Sequence, residues 1–265
     1  MNNKHILFKK AKIVYTVQGQ GDVVFLVHGF LSSKQTWNYI GEQLARDYKV
    51  VCIDLPGFGE SECIALHHTM SLMAEVIHQV CLEENIINMV VAGHSMGGYV
   101  SLALADKYPD LVKGLLLFHS HASADTDEVK ENRRRTVNIV KNDGLKFINN
   151  FTYELYAPEN VEALDDIIKA NIDNANNAPK DGIVAALTGM AERNDHLKLL
   201  MDFNKPIGFI AGKQDSRIPL AKTLAQIGLV KHAEILVLDE CGHMGMDEKP
   251  EECYKFLKGF VYNCI

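Results

Sequence analysis

The sequence predicts an α/β protein: a mostly parallel central sheet flanked by helices and interrupted by one all-helical insertion. Three observations predict it. Short β-rich apolar runs alternate with longer helical patterns, as a sheet with crossover helices requires. The runs are nearly continuous in hydrophobicity, so each strand should be buried on both faces, as parallel strands under helices are. One long stretch, 125–203, carries helical patterns but no convincing strand.

Segment 6–17, broken by charged and polar residues, reads as a leading hairpin at a sheet edge. The apolar runs follow at 23–27, 50–53, 89–92, 114–118, 207–211 and 235–238. Helical patterns fall between them at 36–46, 69–84 and 98–108, the last stopped by Pro109. Pro250 opens a final helix, with Glu251 and Glu252 in the first turn, where the macrodipole favours acids. Within the insertion, helices are expected at 128–141, 145–156, 161–176 and 180–193, with the asparagine-rich piece 171–177 as a frayed end. The chain therefore divides into a first core segment over residues 1–124, the insertion 125–203, and a second core segment over residues 204–265.

Composition narrows the function. The 265 residues hold 34 acidic and 27 basic side chains, a net charge of −7, which disfavours nucleic acid or an anionic membrane as partner. No run approaches the roughly eighteen apolar residues of a membrane span, and charges at Lys4, Lys9 and Lys10 do not fit a signal peptide. A cytoplasmic protein, monomer or homodimer, is expected. The cysteines at 52, 63, 81, 241, 253 and 264 show no CxxC spacing and read as free thiols.

Gly93-His94-Ser95-Met96-Gly97 follows a buried strand and leads into a helix, the context of a G-x-S-x-G nucleophile elbow. A serine hydroxyl is a poor nucleophile until a tight turn raises it and a base takes its proton. Cβ atoms at the two glycines would clash where strand and helix meet. A base and an acid should follow in the order Ser, Asp, His. Asp215 lies just past the run 207–211 and His243 just past 235–238, both at the carboxyl ends of strands, where open α/β sheets bind ligands. The N–H of Met96 and that of Phe30, after Val27-His28-Gly29, are the expected oxyanion donors, each worth about 3 to 4 kcal/mol in the transition state.

In order, His28-Gly29, Asp54-Leu55-Pro56-Gly57-Phe58-Gly59-Glu60-Ser61, Gly93-His94-Ser95-Met96-Gly97-Gly98, Asp215 and Gly242-His243 resemble the α/β-hydrolase superfamily over nearly the whole chain. The resemblance implies the α/β-hydrolase fold with the insertion as a helical cap. It also implies that an acid after the run ending at Phe118 can replace the usual one, which makes Asp125 the alternative to Asp215. Members that open epoxides or displace halide carry Asp at the elbow, where this chain has Ser95. Carbon–carbon bond hydrolases carry Asn before the serine, where this chain has His94. His28-Gly29-Phe30-Leu31 is unlike the His-Gly-Gly-Gly loop of large lipases. The implied function is a serine hydrolase cleaving small or medium carboxylic esters through a Ser95–His243–Asp215 triad and an acyl-enzyme, with no cofactor and no metal. The alternatives are a thioesterase, a cofactor-free haloperoxidase or perhydrolase, and a slow-turnover small-molecule receptor.

Phe30, Leu31, His119 and Met244 are the expected substrate-binding residues. His119-Ser120-His121 invites a metal reading but lacks a third ligand with sensible spacing, and His119 is assigned to the acyl pocket. His28 is expected to orient the oxyanion loop and His94 to pack beside the elbow. Asp54, Gly57 and Gly59 form a tight loop shaping the site wall. Of Arg133, Arg134 and Arg135, helical geometry lets one or two at most face the site. Trp37 should pack beneath the oxyanion loop, and the methionines 70, 73, 96, 190, 244 and 246 should fill core and pocket.

Overall fold

The computed structural model describes residues 2–265. The leading hairpin is β1 (Asn2–Phe8) and β2 (Ala11–Gln18), paired antiparallel. Its turn residues Lys9 and Lys10 both have positive φ, 50° and 73°. This two-residue turn has a twist that suits the strands, but it lacks the Asn-Gly signature that would announce it.

Next come β3 (Val23–Val27), α1 (Asn38–Leu44), β4 (Lys49–Ile53), α2 (Met70–Glu83), β5 (Met89–His94), α3 (Met96–Lys107) and β6 (Val112–Phe118). Thr69 starts α2 by accepting a hydrogen bond from the Leu72 N–H at 3.2 Å. Five helices then precede the next strand: α4 (Asp127–Asn142), α5 (Ile148–Tyr153), α6 (Asp165–Asn176), α7 (Lys180–Ala191) and α8 (Leu197–Asp202). The chain closes with β7 (Ile207–Gly212), α9 (Leu220–Ile227), β8 (Ala233–Leu238), α10 (Gly245–Glu248) and α11 (Pro250–Cys264). Helices α8 and α9 are not anticipated by the sequence because 6 and 8 residues display too little of a helical period.

The eight strands form one sheet in the order β1-β2-β4-β3-β5-β6-β7-β8. β2 pairs antiparallel with β4, and every later neighbour pair is parallel. Strand order reverses at β3: the chain steps outward to β4, then returns across β3 to β5. Right-handed crossovers therefore place α1 on one face and α2 and α3 on the other, and α11, which follows the last strand, packs against α1. The reversal opens a crevice between the carboxyl ends of β3 and β5.

β3, β5, β6 and β7 are buried on both faces. β8 corrects the expectation for every strand: as the last strand it has only β7 beside it, and Ile235 is 37% exposed. Trp37 is fully buried edge-on to Phe118, ring centroids 5.3 Å apart. The six methionines singled out above are all buried. All six cysteines are free thiols. Among the described residues no helix is long and apolar enough to cross a membrane.

Candidate active site

Ser95 occupies the step from β5 to α3 with φ 50° and ψ −114°, a conformation costly for a residue with a side chain. Its neighbours hold it there. The Ser95 N–H donates to the Phe118 carbonyl at 2.9 Å, and its own carbonyl accepts from the Gly98 N–H at 2.9 Å and the Ser120 hydroxyl at 2.8 Å. A Cβ on Gly93 would lie 2.3 Å from the Gly97 oxygen, and one on Gly97 2.3 Å from the Val27 oxygen, so only glycine lets strand and helix come this close. Helix α3 accordingly begins at Met96, two residues before the expected start.

Asp215 follows β7 and His243 follows β8. His243 Nδ1 lies 2.8 Å and 3.0 Å from the two Asp215 oxygens. The backbone N–H groups of Arg217 and Ile218 donate to Asp215 Oδ1, each at 2.8 Å. Burial would raise the Asp215 carboxyl, but His243 and His119 outweigh it and hold the group well below the usual carboxylate range. An ionised Asp215 fixes the proton of His243 on Nδ1 and leaves Nε2 as the basic nitrogen. The His243 loop is tied from both sides: its N–H donates to the Leu155 carbonyl at 2.6 Å, and Glu248 Oε1 accepts from the Gly242 and Met244 N–H groups at 2.9 and 3.2 Å.

Ser95 and His243 line the same cavity, about 350 Å³ in volume, as do Phe30, Leu31 and Met244. That volume falls in the usual range for a small-molecule site. Leu31 sits at φ 58°, the bend of the loop after β3. Among the described residues the N–H groups of Phe30 and Met96 donate to no other backbone group. His28 is fully buried, accepts from the Leu55 N–H at 2.9 Å and donates to the Gly29 carbonyl at 2.7 Å, so it braces this loop. Burial lowers its pKa and keeps the ring neutral. His94 donates from Nε2 to the His243 carbonyl at 2.9 Å, linking elbow and base loop.

A family model described as alpha/beta hydrolase fold matches residues 22–250. The chain belongs to that family. This alpha/beta hydrolase is 30% identical to a thermophilic esterase from Thermogutta terrifontis, solved with malate bound, at a TM-score of 0.94 over 99% of this chain and 98% of that one. It is 24% identical to Lipase 3 of Moraxella sp. (strain TA144), over 94% of this chain and 81% of that protein. It is also 29% identical to the dihydrolipoyllysine-residue acetyltransferase component of the acetoin cleaving system of Pseudomonas putida. That match covers 91% of the hydrolase but 64% of the relative's length.

Two expectations for the hydrolase need correcting. His119 does not line the cavity: it is fully buried and its Nδ1 donates to Asp215 Oδ2 at 3.0 Å. The strand ends at Phe118 and His119 has φ 47°, so the alternation of side chains stops there and His121, not His119, reaches the cavity. His119, Asp215 and His243 bring three ligand-type atoms within 4.8 Å of one another. Both histidines, however, turn Nδ1 to the carboxylate, where each carries a proton rather than a lone pair free for an ion. The second correction concerns segment 171–177, since helix α6 runs on to Asn176 and Asn171 is anchored. Its amide donates to the Tyr156 hydroxyl at 2.7 Å and to Asp247 at 3.0 Å.

Asp125, the alternative acid, is held by Arg133 and Arg193 at 2.5 Å each, so Asp215 is the carboxylate that His243 meets. Of the three consecutive arginines only Arg133 lines the cavity. Asp54 is fully buried and paired with Lys34 at 2.7 Å, bracing the loop near the site rather than entering the cavity. Tyr99, Asn171 and Lys222 line the cavity and Arg193 backs it, yet no motif or spacing marks any of them in the sequence.

Proposed function

We propose that the chain is a serine hydrolase of small or medium carboxylic esters. One observation carries the reading: His243 is bound to Asp215 through Nδ1 while its ring lines the same cavity as the strained Ser95. In the reaction, Ser95 Oγ attacks the ester carbonyl carbon as His243 Nε2 takes the hydroxyl proton, and Asp215 stabilises the imidazolium. The N–H groups of Phe30 and Met96, otherwise without backbone partners, hold the oxyanion. Collapse of the tetrahedral intermediate expels the alcohol, which takes the proton from His243 and leaves the acyl group on Ser95. A water molecule then attacks the acyl carbon as His243 takes its proton, and collapse of the second tetrahedral intermediate breaks the bond to Ser95 Oγ, returns that proton to Oγ and releases the acid.

Phe30, Leu31 and Met244 form the apolar wall near the serine. Phe151 and Thr152 from α5 and Leu187 and Met190 from α7 close the cavity, so the insertion acts as a cap that sets the size of substrate. The deciding experiment is hydrolysis of p-nitrophenyl esters from acetate to palmitate, with Ser95→Ala as the control. Turnover on short and medium chains that vanishes in the variant is the expected result. No turnover above the variant on any ester overturns the reading.

A further inference from the structure

The cavity has a second polar region, assembled from α3, the segment after β6, α4, the end of α7 and α9. Asp125 is shared between two guanidinium groups, Oδ2 with Arg133 Nε and Oδ1 with Arg193 Nη1, each at 2.5 Å. Arg193 is further fixed by the carbonyls of Met190 and Ser123 at 3.1 and 3.0 Å and lies 4.0 Å from the centre of the Tyr99 ring. His121 Nε2 faces three donors: the Lys222 ammonium at 3.2 Å, the Tyr99 hydroxyl at 3.3 Å and Arg193 Nη2 at 3.4 Å. Its Nδ1 therefore carries the proton and donates to the Ser123 hydroxyl at 2.9 Å. Burial, then Lys222 and Arg193, push this imidazole down to about 3, so it is a neutral acceptor under physiological conditions.

The charges do not cancel. Three cations, Arg133, Arg193 and Lys222, stand against the single carboxylate of Asp125, which both arginines already engage. Lys222 is half-buried, and among the described residues its ammonium finds no carboxylate, only the His121 nitrogen. An excess of about two positive charges withdrawn from bulk water is costly unless an anion joins it. Lys222, Arg133, His121 and Tyr99 all line the cavity that holds Ser95. Arg133 Nη2 reaches Asp125 Oδ1 only at 3.4 Å and Nη1 has only the weak acceptor Met190 Sδ, also at 3.4 Å, so this loosely held guanidinium edge and the N–H groups of Lys222 not used on His121 can meet the two oxygens of a carboxylate.

We propose that this cluster is a carboxylate subsite, so that the preferred substrates carry a free carboxylate in addition to the ester that Ser95 attacks. Half-esters of dicarboxylic acids are the simplest such class. The inference rests on the ester-hydrolase reading and names the substrate class of that site. Lys222 is the direct ligand, Arg133 the second, and His121 with Arg193 fixes where the ammonium sits.

The test compares kcat/KM for the monomethyl esters of succinate, glutarate and adipate with that for methyl hexanoate, followed by pH-stat. At least one half-ester should exceed the neutral ester by about tenfold, the value of one charge-assisted hydrogen bond. Lys222→Met should erase that ratio, mainly through KM, and Lys222→Arg should restore part of it. A ratio of one or below across the series, or a ratio unchanged in Lys222→Met, overturns the subsite. If no ester is cleaved, the ester reading falls, and calorimetric titration of glutarate into Ser95→Ala with and without Lys222→Met judges the subsite alone. Saturable binding that the second substitution weakens about tenfold supports the subsite. No binding, or tighter binding of inorganic phosphate, overturns it.

Discussion

Asp215 Oδ2 accepts a hydrogen bond from His119 Nδ1 at 3.0 Å, nearly as short as the 2.8 Å bond from His243 Nδ1. His119 is fully buried and outside the cavity, so in the proposed reaction it can act only by holding the carboxylate in place. His119→Leu should lower kcat by about tenfold or more with KM little changed, as the loss of outer partners of catalytic groups does. His119→Asn places an amide N–H near the position of Nδ1 and should recover most of the rate. Steady-state kinetics on the best ester decide it; a Leu variant as fast as the parent removes His119 from the mechanism.

Glu248 joins the base loop to the insertion. Oε1 takes the N–H groups of Gly242 and Met244, while Oε2 takes the Ala157 N–H at 2.8 Å and the Asn160 amide at 2.9 Å. Glu248→Ala leaves buried N–H groups without partners, and about 2 to 4 kcal/mol of stability should go, together with much of kcat. Glu248→Gln should not rescue it, because its amide nitrogen would point donor at donor. Urea unfolding of the three proteins gives the answer, and a Gln variant equal to the parent would contradict it.

The loop after β4 depends on a buried ion pair. Asp54 accepts from the Lys34 backbone N–H and ammonium, both at 2.7 Å, and from the Glu60 N–H at 3.0 Å. Lys34→Met strands a buried carboxylate and should destabilise the protein by about 3 to 5 kcal/mol. Adding Asp54→Asn removes the orphaned charge and should return part of that loss. Additive losses in the double variant would sink the explanation.

Asp247 gives a pH signature. It accepts from the Tyr156 hydroxyl and the Asn171 amide, yet burial raises it to about 6. Its folded pKa lies above the unfolded one, so the native state holds the proton more tightly. The stability it contributes is therefore present at low pH and is lost as the pH climbs through about 4 to 6. The loss amounts to about 3 kcal/mol. Asp247→Asn keeps a neutral acceptor and should gain on the parent over that interval. Paired urea midpoints from pH 4 to 7.5 measure the gap, and a pH-independent gap refutes the assignment.

Much of the site is local enough to be read directly. Ser95, Asp215 and His243 each stand just past the carboxyl end of a strand, and each strand declares itself by a continuous apolar run. The Ser95 turn declares itself too, since Gly93 and Gly97 meet backbone at 2.3 Å and tolerate nothing larger. His119 and His121 look alike in the sequence, and their opposite fates follow from a single positive φ at His119. Lys9-Lys10 adopts a turn that residue type would not suggest, because the strands on either side of it are already paired.

By itself the sequence determined the order of the strands and of the longer helices, and the elbow, because these depend on hydrophobic period and on the room a few backbone atoms need. Only the tertiary structure decided which charges face one another. Lys222 lies 101 positions from His121, and Arg193 lies 72 from it, so their shared cavity exists only once α7, α9 and the segment after β6 are packed together. Electrostatic energy depends on separation in space and on exclusion of water, and neither quantity is written along the chain.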